Sequence, residues 1–345
     1  MKTGWIQLAV MAASAVLALL TLDYLLHLVA APKHLREVEH GVRDLRRGDP
    51  AVLVLGSSHA RTFHAVGQEL ARRTGNAQTL VAVPVEAGKL FAYDWVLHNR
   101  LAPIIDERDG SGNLVRTRAR QFVLVTEWWD SCAHDAPYWS LPGRAWVFGE
   151  FLEDLLQNGI NGYNRNYLQN RFRVLLADSA LVYDRTQQAV VSKLGRLVRG
   201  KPLGRSPEDE RRLIGVWQRM VEEGAACIGD PVQRRSLERI LAFARARSWK
   251  VTVVLFPRKP ATLTEKAKVT TLAAFADQVG KWTEPYAAKV VDLTHRSPLR
   301  DADFMEDFDH VTEEGNRMFS RWVLDQDLRF LVAPAEEAGR VAAGH

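Results

Sequence analysis

The longest apolar run in the chain comes first. Trp5 to Leu22 (WIQLAVMAASAVLALLTL) carries no charge, and LLHLVAA continues after Asp23 and Tyr24 to Ala31. That is about the length needed to cross a hydrocarbon core. The pattern predicts an uncleaved single-span transmembrane anchor over residues 1–31. A cleaved signal peptide is the second reading, disfavoured by the length of the run and by Pro32 directly after Ala30 and Ala31. A buried core helix is the third, and it lacks the polar face such a helix would show before Asp23.

Residues 32–50 read as a juxtamembrane linker, with a polar helix from Leu35 to Arg47 stopped by Gly48-Asp49-Pro50. Short apolar runs of strand length then recur: Ala51–Leu55, Thr79–Val85, Phe122–Thr126, Val251–Phe256 and Lys289–Leu293. Helical patterns lie between them, from about Arg61 to Arg73 and from Thr262 to Val279. Two more open at Ser206-Pro207 and Asp230-Pro231, where a capping side chain precedes proline at the first helical position. Fully apolar strands feeding helices predict a parallel α/β sheet. About 125 residues separate the third and fourth strand runs, far more than one crossover needs. The surplus, about 128–230, reads as a helical insertion rich in aromatics (Trp128, Trp129, Trp139, Trp146, Trp217). These are more often insertion core than a ligand platform. The small, polar tail 333–345 reads as disordered.

Composition narrows the function classes. The chain has 345 residues, 47% hydrophobic and 25% charged, an ordinary globular balance that excludes a polytopic membrane protein. Two cysteines exclude a disulfide scaffold and a Cys-rich zinc module. Cys132 and Cys227 would pair only in an oxidising compartment, and only with Cα atoms under roughly 7 Å apart. The net charge of +5 is spread along the chain, with no concentrated patch or motif for nucleic acid. No GxGxxG or GxxxxGK[ST] loop is present, so nucleotide readings lack a phosphate cradle.

Three short segments hold the candidate chemistry. Gly56-Ser57-Ser58-His59 ends the first strand run, where ligands of open parallel sheets gather. A serine there meets backbone N–H groups and a favourable helix dipole, although the same residue type also serves as a plain cap. Asp307-Phe308-Asp309-His310 precedes an amphipathic helix whose start Thr312 can cap, with Met318, Phe319, Trp322 and Val323 on its apolar face. A histidine between a carboxylate and a serine makes a hydroxyl nucleophilic. The same stretch, crowded by Asp301, Asp303, Glu306 and Asp309, also fits an acidic surface loop. A metal site is a third option, but one histidine among carboxylates points to no particular metal. Glu86-Ala87-Gly88 follows the second strand run, where a glycine lets a backbone N–H approach an oxyanion.

Together these segments resemble the SGNH/GDSL hydrolase superfamily, in that family's order and over about residues 51–332. The resemblance implies a flavodoxin-like parallel sheet sandwiched by helices. It implies Ser58 as nucleophile, His310 as general base and Asp307 as its orienting acid, with oxyanion donors at Ser58 and Gly88. Ser57, His59, Trp128 and Trp129 are then candidate substrate contacts, and neither metal nor cofactor is called for. Two positions depart from the family: Ser57 stands for its usual aspartate, and Thr126-Glu127-Trp128-Trp129-Asp130 offers no oxyanion asparagine. The membrane-anchored, cell-envelope branches carry the same serine. The resemblance to them implies an O-acetyltransferase or acyl esterase acting on a cell-surface polysaccharide or other acylated glycan, beside a multi-span membrane acyltransferase. An inactive scaffold that binds glycan and partner proteins is the rival reading. The branch implies an extracytoplasmic body. The basic residues after the span (Lys33, Arg36, Arg43, Arg46, Arg47) count the other way.

Overall fold

In the computed structural model the five apolar runs form one parallel sheet. The structure describes residues 33–75, 79–86, 88–115, 119–132, 148–165, 167–169 and 206–331, with scattered positions between 6 and 21. The strands are β1 Val52–Gly56, β2 Leu80–Pro84, β3 Gln121–Thr126, β4 Lys250–Leu255 and β5 Lys289–Asp292, in the order β2-β1-β3-β4-β5. The register pairs Val54 with Ala82 on one side and Val123 on the other. With both faces covered, alternation disappears: β1 is buried along its whole length, which is why it reads as an unbroken apolar run.

The principal helices are α1 Lys33–Arg47, α2 Thr62–Thr74, α3 Leu90–Val96, α4 Phe148–Asn158, α5 Pro207–Glu223, α6 Pro231–Ala246, α7 Ala273–Thr283 and α8 Glu313–Asp325. Helices α2 and α8 pack together, and Phe63, Val66 and Leu70 meet Phe319, Val323 and Leu324 in a core against β1, β3 and β4. Helix α6 packs on α3 and on α7. The caps form as their residue types require. Ser206 accepts from the Asp209 N–H at 3.1 Å, Asp230 from Val232 and Gln233, and Thr312 from Gly315 at 3.1 Å.

Two expectations change and a conditional one is met. Residues 32–50 are not a linker: α1 buries Val38, Val42 and Leu45. Its Gly41 is so close to β2 that a Cβ would lie 2.7 Å from Val83. The expected insertion is also too wide. Residues 135–204 cluster with 1–36 as one compact unit, whereas α5 belongs with the sheet, burying Val221. Within the first unit Phe151 of α4 stacks on Tyr167 at 4.6 Å, and Asp154 accepts from the Asn161 and Asn164 amides. The conditional pairing is met: Cys132 and Cys227 are joined, with Cα atoms 4.8 Å apart.

Among the described residues no helix is long and apolar enough to cross a membrane. Most of the expected span 1–31 lies outside those residues, as do Trp139, Trp146 and the tail 333–345.

Candidate active site

The site assembles where the strands end. Beyond Gly56 the chain turns immediately into a 3-10 turn, Ser58–Arg61, and then into α2. Gly56 is required there, because a Cβ would lie 2.2 Å from the Val125 carbonyl of the neighbouring strand. Ser57, expected at the substrate, is instead the cap of this turn: its Oγ accepts the His59 N–H at 3.3 Å. Ser58 opens the turn and is buried but for 7% of its surface.

The Asp307–His310 loop is built around one carboxylate. Asp307 Oδ1 accepts the backbone N–H groups of Asp309 and His310, both at 3.0 Å, and Oδ2 meets His310 Nδ1 at 2.8 Å. Burial acts to raise the Asp307 pKa, but these N–H groups and the imidazole together hold it below the usual carboxylate value. The contact fixes the imidazole orientation and favours the Nδ1–H tautomer, which leaves Nε2 as the acceptor. That Nε2 is buried and has no hydrogen-bond partner among the described residues. The expected direct bond between Ser58 and His310 is therefore not made. Phe308, between Asp307 and His310 in the chain, adopts a left-handed backbone with φ +64°. For a bulky side chain that is a strained conformation.

His59, also expected at the substrate, is instead buried at the centre of an ion network. Its Nε2 lies 3.2 Å from Glu127 Oε1 and 3.5 Å from Asp309 Oδ1. The Arg258 guanidinium bridges the same two carboxylates, touching Glu127 and lying 3.1 Å from Asp309. The His59 ring stacks on Phe256 with centroids 4.5 Å apart and stands 5.7 Å from the His310 ring. Burial would depress the imidazole pKa, but the charges and hydrogen bonds of Asp309 and Glu127 outweigh it and raise the value to about 10. Asp309 is held well below the usual range. Burial opposes this, but the charges of His59 and Arg258 prevail.

His59, Glu127 and Asp309 each place one atom within 4.8 Å of the others, a spacing a divalent cation could use. Arg258 argues against one, since two cations already balance two anions here.

Two further expectations are corrected. The Gly88 N–H donates to the Val85 carbonyl at 3.0 Å, so it is not a free oxyanion donor. The glycine serves packing, because a Cβ would lie 2.7 Å from Val85 and 2.8 Å from Tyr93. Trp128 is not a substrate platform: it is 2% exposed, and Gly224 lies against its ring. Trp129 is half-buried, with the Lys89 ammonium 5.0 Å from its ring centre.

Behind Glu127 sits a second carboxyl. Asp130 Oδ2 accepts from Thr126 Oγ1 and from the Glu127 N–H. Burial first, and the Glu127 charge second, raise its pKa to about 8.

Glu127 and Arg258 lie outside the three segments that carry the candidate chemistry in the sequence. Their signal was present: a charged residue directly after a run buried on both faces, Thr126-Glu127 and Phe256-Pro257-Arg258. No protein-family model and no curated protein matches the chain.

Proposed function

We propose that the protein is a serine acyl-transferring enzyme of the SGNH type, an O-acetyltransferase or acyl esterase with Ser58 as nucleophile. The observation that carries this is the oriented Asp307–His310 pair, with an uncommitted Nε2 at the strand ends where Ser58 opens its turn. The strand order 2-1-3-4-5 is the flavodoxin-like order, which supports the same reading.

In this mechanism Ser58 Oγ attacks an acyl carbonyl and its proton passes to His310 Nε2. Asp307 keeps the imidazole in place and stabilises the imidazolium that forms. With Gly88 committed to Val85, the main-chain N–H of Ser58 remains of the two expected oxyanion donors. His310 then gives the Ser58 proton to the departing oxygen as its bond to the acyl carbon breaks, leaving the acyl group as an ester on Ser58. In the second half-reaction the acceptor alcohol or water attacks this ester and gives its proton to His310, which returns it to Ser58 Oγ as the ester bond breaks.

The Cys132–Cys227 bridge supports an oxidising, extracytoplasmic location. We carry the membrane anchor, the cell-surface glycan acceptor and the partner acyltransferase as parts of this proposal on the sequence resemblance alone. A glycan-binding scaffold without catalysis is the second reading, favoured by the committed Gly88 N–H and the absent Ser58–His310 bond.

A serine-directed fluorophosphonate probe decides between them. The full chain should label, and Ser58→Ala should not, with its folding unchanged. Absence of labelling in the wild-type protein would favour the scaffold.

A further inference from the structure

We infer that the buried network of His59, Glu127, Arg258 and Asp309 is a positioning device that holds the His310 loop against the Ser58 turn. The inference rests on the reading of Ser58 and His310 given above.

Each member comes from a different strand end or loop: His59 after β1, Glu127 after β3, Arg258 after β4, and Asp309 from the loop before α8. Asp309 is the direct neighbour of His310, and His59 the direct neighbour of Ser58. The contact between His59 and Asp309 therefore joins the two segments that must meet for catalysis. The loop also contains the left-handed Phe308, a conformation that persists only where surrounding contacts over-determine it. Those contacts include the Asp307 carboxylate on the Asp309 and His310 N–H groups, the Met305 N–H bond to the His310 carbonyl at 2.7 Å, the burial of Phe308, and the Asp309 ion pairs. Two contacts reach the Ser58 turn, both at His59: the ion pair from Asp309 and the His310 ring, with centroids 5.7 Å apart.

The charges facing His59 come from every element around it. Glu127 and Asp309 carry the negative charge, Arg258 the positive, and the His310 ring and Phe256 complete the enclosure. Arg258 is the member that lysine cannot replace, since a single ammonium does not bridge two carboxylates as a planar guanidinium does.

The test uses Asp309→Asn and Arg258→Lys in the full chain, with fluorophosphonate labelling rates followed from pH 6 to 10. Asp309→Asn keeps the side-chain shape and removes one of the two anions holding the His59 proton. We expect labelling to fall roughly 10- to 100-fold in both variants, the size expected for misplacement of a catalytic group. We also expect the alkaline loss of rate to set in at a lower pH in Asp309→Asn than in the wild type, because His59 then deprotonates earlier. A merely structural role predicts lower thermal stability and a uniform loss at every pH. That uniform loss, or a wild-type rate and profile in Asp309→Asn, would overturn the inference.

Nitrogen NMR of the histidine rings separates this from failure of the serine reading. With the network intact, His59 shows both nitrogens protonated at pH 8 in the wild-type chain, whether or not Ser58 labels. A neutral His59 there would overturn the inference independently.

Discussion

Two buried acids and one buried histidine set how the fold responds to pH. His59 titrates at about 10 in the fold against an ordinary value of 6.5. Its contribution to stability is complete below pH 6.5 and is lost as the pH rises through 10. Asp130 is raised to about 8 from 3.8, so the fold also keeps its proton longer than the unfolded chain does. Both groups act with the same sign, and stability should decline from about pH 6 to pH 10. Asp309, with a depressed value, acts oppositely, its contribution disappearing as the pH falls below the usual carboxylate range. Urea midpoints at pH 6, 8 and 10 check the alkaline side. Asp130→Asn should flatten the part of the decline below pH 8, and midpoints that rise with pH would contradict these assignments. At the same scale, Ser57→Ala should cost about 1 kcal/mol through the lost cap, whereas Ser58→Ala should leave stability nearly unchanged.

At the scale of elements, α1 gives the sharpest expectation. Its Val38, Val42 and Leu45 face inward, and Gly41 lets the helix backbone approach Val83 and the Ala82 carbonyl of β2. Gly41→Leu must push α1 away from the sheet edge, at a cost of about 1–3 kcal/mol for overpacking. A thermal midpoint equal to wild type would show that α1 does not pack there.

The strands were legible because a sheet covered on both faces demands continuous apolar runs. The helix starts were legible because Ser206, Asp230 and Thr312 cap by local chemistry. The role of α1 was not: Leu35–Arg47 is mostly polar, and its few apolar positions acquire meaning only against β2.

At the scale of the molecule, the bridge Cys132–Cys227 spans a sequence separation of 95 residues. Closing so long a loop restricts the unfolded chain, and its removal should cost about 2–4 kcal/mol. Cys227→Ser, compared with wild type by urea denaturation with and without reductant, measures this. Reductant should lower the wild-type midpoint to that of the variant, and equal midpoints throughout would mean the thiols do not pair. The site follows the same division of scale. Asp307 and His310 are three residues apart, so a loop and one carboxylate bring them together, and the sequence alone sufficed to pair them. The place of Ser58 in a turn at the end of β1 was legible from an apolar strand entering a small-residue turn. The network was not legible, because Arg258 and Glu127 are 131 positions apart and meet only when β3 and β4 lie side by side. Gly88 misled for a different, local reason: its N–H goes to Val85, three residues before it, and its missing Cβ makes room for Tyr93, five residues after it. The sequence by itself determined the strands, the caps and the Asp307–His310 pair, since local patterning and short-range hydrogen bonds suffice for them. The tertiary structure alone decided which charged groups share the interior at the strand ends. Burying a charge requires partners, and those partners come from segments that only the sheet brings together.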